Sequence, residues 1–194
     1  MSGGMPARDA LAAIHGARGD RDVVVTTMTP ARDWMTFTQH ALDVVMVPSA
    51  MGHATSIGLG LALAQPTRRV IVCNGDGSML MNLGSLVSIA DAKATNVVVA
   101  MFENGVYEVT GEEPVPGAGA VDFVAMAKAA GFCSTFEFSD LAAWQSKARE
   151  VLAAPGPTFV TLHVETQPGT PAPKSPGPAS ERGRRLMDAL RTSL

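Results

Sequence analysis

The chain has 194 residues, of which 46% are hydrophobic and 17% charged, with a formal net charge of −3. That length suits one domain with its own core, and that charge excludes a nucleic-acid partner held by bulk electrostatics. No apolar run is long enough to span a membrane and no secretory signal is visible, so a cytoplasmic protein without a membrane partner is expected.

In chain order, residues 6–17 predict an amphipathic helix with Ala10, Leu11, Ile14 and Ala17 on one face and His15 at the surface. Residues 22–27 predict a buried strand. Thr29-Pro30 opens a helix with Pro at its first position, running to about His40. Arg32 on that helix is read as a solvated arginine. Residues 42–47 predict the next strand, stopped by Pro48. A loop with Ser49, Met51, Gly52 and His53 follows, then a helix over 54–64 whose Gly58 and Gly60 suit close packing. Val70-Ile71-Val72-Cys73 is a strand that meets Asn74-Gly75-Asp76-Gly77-Ser78, and a helix is expected from Met79 to about Lys93.

Residues 97–102 form another apolar strand, which meets Glu103-Asn104-Gly105-Val106-Tyr107. Residues 111–120 read as a long Gly/Pro loop of the lid or binding type, carrying Glu112 and Glu113 near an entrance. A helix over 121–130 has Asp122 in its first turn and ends at Gly131. A short strand over 133–138, a helix capped by Ser139 and running to about 153, and a last strand over 158–164 complete the domain. His163, on that strand, is read as a packed residue. Residues 167–179, with five prolines, read as an extended tail, and 180–194 as a terminal helix with Leu186, Met187 and Leu190 apolar, suited to docking on a neighbouring subunit. Cys73 and Cys133 form no Cys-x-x-Cys pair and are expected as free thiols. The alternation of strand and helix predicts a single α/β domain, three layers deep, with a mostly parallel sheet between helices. The expected division is a domain over 1–165 and a tail over 166–194.

Two polar loops, 74–78 and 103–107, leave the C-terminal edge of that sheet, where ligands of open α/β sheets sit. Gly75 and Gly77 let the backbone turn tightly and approach a bulky anion. The N–H groups of Gly77, Ser78 and Met79 open a helix and can bind phosphate oxygens. Asp76 and Asn104 are hard oxygen ligands, and Mg²⁺ takes one or two carboxylates together with phosphates and waters. A backbone carbonyl just after Asn104 can complete the shell. These residue types point to a diphosphate held through a divalent metal.

The Gly-Asp-Gly of residues 75–77, followed 28 positions after its Asp by Asn104, resembles the motif of thiamine-diphosphate enzymes. Residues 51–62, 75–84 and 103–107 resemble the β subunits of sulfopyruvate decarboxylases and the C-terminal half of phosphonopyruvate decarboxylases. The likeness covers about residues 5–165. It implies the thiamine-diphosphate-binding fold, with thiamine diphosphate and Mg²⁺ as cofactors. Met51, before Gly52, is then the apolar residue beneath the cofactor, and the carbonyl of Ser49 accepts from its amino group. Asp76, Asn104 and the carbonyl of Val106 become the metal ligands. Gly75, Gly77 and Ser78 lie around the diphosphate, with Tyr107 in the loop over it. His53 is a candidate to move a proton or bind an anionic group, and it can equally cap the following helix. Glu108 is read as exposed.

The family's aminopyrimidine-activating Glu sits on a separate pyrimidine-binding domain, and residues 1–48 do not resemble that domain. The resemblance therefore implies a partner chain, an α-type subunit, in an assembly of α₂β₂ or larger with sites between unlike chains. The reaction it implies is decarboxylation of a small 2-oxoacid, sulfopyruvate- or phosphonopyruvate-like, to an aldehyde and CO₂. A carboligase or a 2-oxoacid oxidoreductase with the same cofactor, a nucleotide-binding domain, and a regulatory subunit that keeps the fold stay open.

Overall fold

The computed structural model describes residues 4–48, 51–169 and 171–192. Its centre is a six-stranded parallel sheet. The strands are β1 (Val23–Thr27), β2 (Asp43–Met46), β3 (Val70–Gly75), β4 (Val97–Glu103), β7 (Ser134–Phe138) and β8 (Thr158–His163). Their order across the sheet is β2-β1-β3-β4-β8-β7. A two-stranded antiparallel ribbon, β5 (Val106–Tyr107) with β6 (Glu113–Pro114), stands outside it. The inner strands are valine-rich because both of their faces are covered, so no polar alternation survives. Each fully buried valine contributes roughly 1.5–3 kcal/mol.

Two apolar clusters flank the sheet. On one face Val24, Ile71 and Ala100 meet α1 (Ala7–Ala17), α2 (Met28–Phe37) and α7 (Leu141–Leu152). Trp144 of α7 is fully buried there and its Nε1 donates to the carbonyl of Ala10 at 2.8 Å, tying α7 to α1. On the other face Val23, Val25, Val70, Val72 and Val99 meet α3 (Ala54–Ala64), α4 (Asp76–Leu80), α5 (Gly84–Asp91) and α6 (Phe123–Ala130). Gly58 of α3 is required by this packing, since a Cβ there would lie 2.3 Å from Cγ2 of Val72. The same expectation fails for Gly60, which faces open space.

The connections fix where the site lies. From β1 the chain crosses one face through α2 to β2 at the sheet's edge. It then returns across the opposite face through α3 to β3, on the other side of β1. The C-terminal ends of β1 and β3 therefore flank a topological switch point, where a crevice opens.

Several local expectations are corrected. The segment 79–93 is two helices, α4 and α5, separated by a turn at 81–83. Asn82 makes the break: its Nδ2 reaches the carbonyl of Gly52 at 2.8 Å and Oγ of Ser56 at 3.2 Å. The helix expected from Thr29 starts at Met28, so Pro30 is its third residue, and it stops at Phe37. Asp140, not Ser139, caps α7 by accepting from the N–H of Ala143 at 2.8 Å. Asp122 is likewise the cap of α6 rather than a first-turn residue. His163 is half-buried between two carboxylates, with Nε2 2.6 Å from Glu137 and Nδ1 3.5 Å from Glu103. The long loop over 111–120 is anchored by the β5–β6 ribbon and by the N–H of Val115 on the carbonyl of Gly105, 3.0 Å apart.

The terminal helix α8 (Ala179–Thr192) folds back on its own domain. Leu186, Ala189 and Leu190 pack against the α3-side cluster. The guanidinium of Arg182 donates to the carbonyls of Val45 and Val47 at the end of β2.

Candidate functional site

At the switch point β1 runs into α2 without a loop. The corner falls on Met28, whose φ of +55° is a left-handed value that non-glycine residues rarely adopt. Such outliers gather at functional sites, and Met28 stands in the wall of a pocket. Facing it, β3 ends at Gly75 and α4 begins at once with Asp76. The pocket brings together Met51, Gly75, Asp76, Gly77, Ser78, Asn104, Val106 and Tyr107, eight of the ten cofactor-binding residues expected from sequence.

Asp76 is 3% exposed. Its Oδ1 accepts the N–H of Gly77 and its Oδ2 the N–H of Gly105, each at 2.7 Å. Burial pushes its carboxyl above the usual range, and the backbone hydrogen bonds, from Gly105 first, pull it back only in part. The N–H of Gly77 is thus already engaged with Asp76, which removes it from the set expected to bind phosphate. Neither Gly75 nor Gly77 has a positive φ, so a tight turn is not what demands glycine here. The reason is room. A Cβ on Gly75 would meet nothing within 4 Å, which leaves open space beside Asp76, while a Cβ on Gly77 would lie 2.5 Å from Cε1 of Tyr107.

Gly52 sits behind this wall. Its φ is +78° and its N–H donates to Oγ of Ser78 at 3.0 Å, joining the loop before α3 to α4. Ser49 lies outside the described residues. His53 is exposed, with Nδ1 2.9 Å from the carbonyl of Met51, and it is not among the residues lining the pocket. Its side chain makes no cap on α3.

Asn104 is held on both ends of its amide. Its Oδ1 accepts the N–H of Val106 at 3.1 Å, and its Nδ2 donates to Oε1 of Glu108 at 3.4 Å. Glu108, expected at the surface, is buried in the pocket wall. Its Oε2 accepts the hydroxyl of Thr29 at 2.5 Å, and Oε1 also accepts the N–H of Gln167 at 2.6 Å. Asp33, a further carboxylate of the wall, is buried and paired with Nε of Arg32 at 2.8 Å. Arg32 is therefore no solvated helix residue; its Nη2 also donates to Oε1 of Gln167 at 2.6 Å. Glu112 and Glu113 do not line the pocket, and Glu112 accepts the N–H of Gly169 at 3.1 Å instead. Thr29 and Glu108 were missed because they meet across 79 positions of sequence, and Asp33 because its place in the wall depends on how α2 packs, which no local spacing announces.

Among the described residues that line the pocket there is no Lys, Arg or His, while Asp33, Asp76 and Glu108 supply three carboxylates. No cluster of three His, Cys, Asp or Glu able to hold a metal unaided occurs among the described residues. A bare anion would be repelled here. One carboxylate, one amide oxygen and neighbouring carbonyls are the donors of a hard cation that keeps ligand positions for phosphate oxygens. The donor set and the open space beside Asp76 thus fit a magnesium diphosphate rather than either component alone.

The family model for the thiamine pyrophosphate enzyme, C-terminal TPP binding domain, matches residues 22–162. Sulfopyruvate decarboxylase subunit beta of Methanothermobacter thermautotrophicus is 37% identical over 161 residues, 83% of this chain and 82% of the relative. Phosphonopyruvate decarboxylase of Streptomyces viridochromogenes is 37% identical over 78% of this chain, which spans only 37% of that relative. Among solved structures, the thiamine diphosphate-dependent 4-hydroxybenzoylformate decarboxylase of Rhodococcus jostii superposes with a TM-score of 0.72 at 22% identity. That match covers 86% of this chain and 34% of the other, and it bears on the fold alone.

Proposed function

This chain belongs to the thiamine pyrophosphate enzymes, through their C-terminal cofactor-binding domain, and from that premise we propose that it is the diphosphate-binding subunit of a decarboxylase acting on a small 2-oxoacid with an anionic tail. The observation that carries the reading is the meeting of Asp76 and Asn104 at the switch point, in a pocket lined by carboxylates and by no cationic side chain. Asp76, Asn104 and the carbonyl of Val106 would hold Mg²⁺, and the wall of Gly75, Gly77, Ser78 and Tyr107 would receive the diphosphate. Met51, in the same wall, would support the rest of the cofactor. Ser49 keeps its proposed role as acceptor for the cofactor's amino group, and His53, facing outward, would reach a reacting centre only across an interface.

When bound, thiamine diphosphate supplies the nucleophilic carbon and the electron sink that release CO₂ from a 2-oxoacid. The chain's own part is to bind and orient. Asp76 ties the start of α4 to the loop after β4 and would be held in its charged form by the cation. Phe102, Val109 and Val164 give the pocket an apolar side that limits water.

The chain needs a partner for this chemistry. Glu108 is the only glutamate among the described lining residues, and both its oxygens are engaged by Thr29, Asn104 and Gln167. The glutamate that activates the aminopyrimidine in this family would come from a second, pyrimidine-binding chain, consistent with the naming of three relatives as beta subunits. The surface next to the site supports such docking. Ile57 of α3, Met81, and Val87 of α5 are 38–58% exposed, and residues 77–90 contain no Asp, Glu, Lys or Arg. An α₂β₂ or larger assembly follows from this reading.

The test is calorimetric titration of thiamine diphosphate with Mg²⁺ into the chain, alone and with a co-purifying subunit. CO₂ release from 3-sulfopyruvate and 3-phosphonopyruvate is then measured. Binding strengthened by the partner supports the reading, and absence of binding in both settings removes it.

A further inference from the structure

Glu108 has no assigned role, yet it is only 8% exposed and its carboxylate is the junction of three chain segments. Oε2 takes the hydroxyl of Thr29, at the start of α2. Oε1 takes both Nδ2 of Asn104, in the loop after β4, and the N–H of Gln167, in the tail. The tail is secured twice more, by Arg32 on Oε1 of Gln167 and by the N–H of Gly169 on Glu112. Glu112 itself has a φ of +61°, a strained value for a glutamate, at the far end of the β5–β6 ribbon. Gln167 and Gly169 both lie beyond residues 22–162, where the family model matches.

A side-chain amide has one donor end and one acceptor end. A carboxylate placed on the Nδ2 side of Asn104 therefore decides that Oδ1 faces the other way. That oxygen accepts the N–H of Val106 and keeps a second lone pair for a cation. With both oxygens of Glu108 engaged, its effect on the site passes through Asn104.

We propose that Glu108 is a positioning residue that fixes the ligand face of Asn104, and that the tail at Gln167 and Gly169 is the strap that holds Glu108 in place. This rests on the reading of Asp76 and Asn104 as metal ligands. It makes the tail a working part of the cofactor site. Partners of this kind commonly set metal affinity by about 10–100-fold.

The experiment uses the full chain, with its co-purifying subunit where one is present. It compares unaltered protein with Glu108→Ala, Glu108→Gln and Gln167→Pro. The Mg²⁺ concentration for half-maximal thiamine diphosphate binding is read by calorimetry. Glu108→Ala should raise it by about tenfold or more. Glu108→Gln should return it to within about threefold of the unaltered protein, because an oxygen at the Oε1 position still accepts from Asn104 and Gln167. Gln167→Pro, which removes the N–H donor to Glu108 and the side-chain oxygen that Arg32 holds, should raise it by an intermediate factor. An unchanged Mg²⁺ requirement in Glu108→Ala overturns the proposal while leaving the cofactor reading intact. A loss in Glu108→Gln as deep as in Glu108→Ala also overturns it, since that would mark a group acting through its charge. Failure of the unaltered protein to bind at any Mg²⁺ concentration overturns the cofactor reading, and the proposal with it.

Discussion

Oδ2 of Asp76 accepts the backbone N–H of Gly105 at 2.7 Å, so one buried carboxylate joins the start of α4, where β3 ends, to the loop that follows β4. These two segments carry the side chains proposed to bind the metal. Their relative position is set before any ligand arrives, which lowers the cost of ordering the site on binding.

That carboxylate should be a burden in the ligand-free chain. Burial raises its folded-state pKa, so its contribution favours the fold most at pH below the unfolded value and is lost as pH rises through the folded value. Asp76→Asn removes the titrating group and is therefore expected to flatten the fall in Tm from the usual carboxylate range upward, while giving up one of the two backbone hydrogen bonds, since an amide accepts at one end only. The same substitution should abolish the Tm gain produced by thiamine diphosphate with Mg²⁺. Thermal scans across pH, with and without both ligands, check the two signs together.

Gly77→Ala places a methyl group 2.5 Å from the ring of Tyr107 and 3.1 Å from Val115. The ring cannot give way without moving the β5–β6 ribbon, so a loss of about 1–3 kcal/mol is expected in urea unfolding. In a Tyr107→Ala background the same change should cost distinctly less, because the two positions are in contact.

Asn82→Ala removes the donors that reach Gly52 and Ser56. The expected loss is about 1 kcal/mol, or about 2–4 °C in Tm. Ligand affinity should also fall, since Gly52 is what links the Met51 loop to Ser78. A variant with lower Tm but unaltered thiamine diphosphate affinity would show that the loop is held by other contacts.

Val87→Glu tests the uncharged face. Val87 is 58% exposed, so the isolated chain should keep its stability within about 0.5 kcal/mol. Assembly with the second subunit, followed by sedimentation velocity, should be lost. A complex that survives the charge would move the docking face elsewhere on the surface.

Much of this architecture was legible in the sequence. The apolar runs of β3 and β4, each ending in a polar loop, located the sheet edge, and Gly-Asp-Gly with Asn104 named the chemistry there. What stayed hidden was non-local. Glu108 looked like a surface residue because its partners, Thr29 and Gln167, are 79 and 59 positions away. The break between α4 and α5 was missed because helical periodicity continues across it, and only the reach of Asn82 to the preceding loop explains the turn. Gly75 and Gly77 carry two expectations, a tight turn and room beside the backbone; neither φ is positive, so the turn is not the reason for them, and only the packed structure displays the space at Gly75 and the Tyr107 ring against Gly77.

The hold of Arg182 on β2 limits how this protein can grow. The N–H of Val24 takes the carbonyl of Leu42, so along β2 the alternate carbonyls, those of Val45 and Val47, point away from β1 toward the open border of the sheet. Arg182 occupies both. An incoming strand would have to displace a guanidinium to find its hydrogen-bond acceptors, so continuing the sheet from one molecule into the next is blocked at this border. A variant lacking Arg182 would leave these two carbonyls open to a new strand at this border.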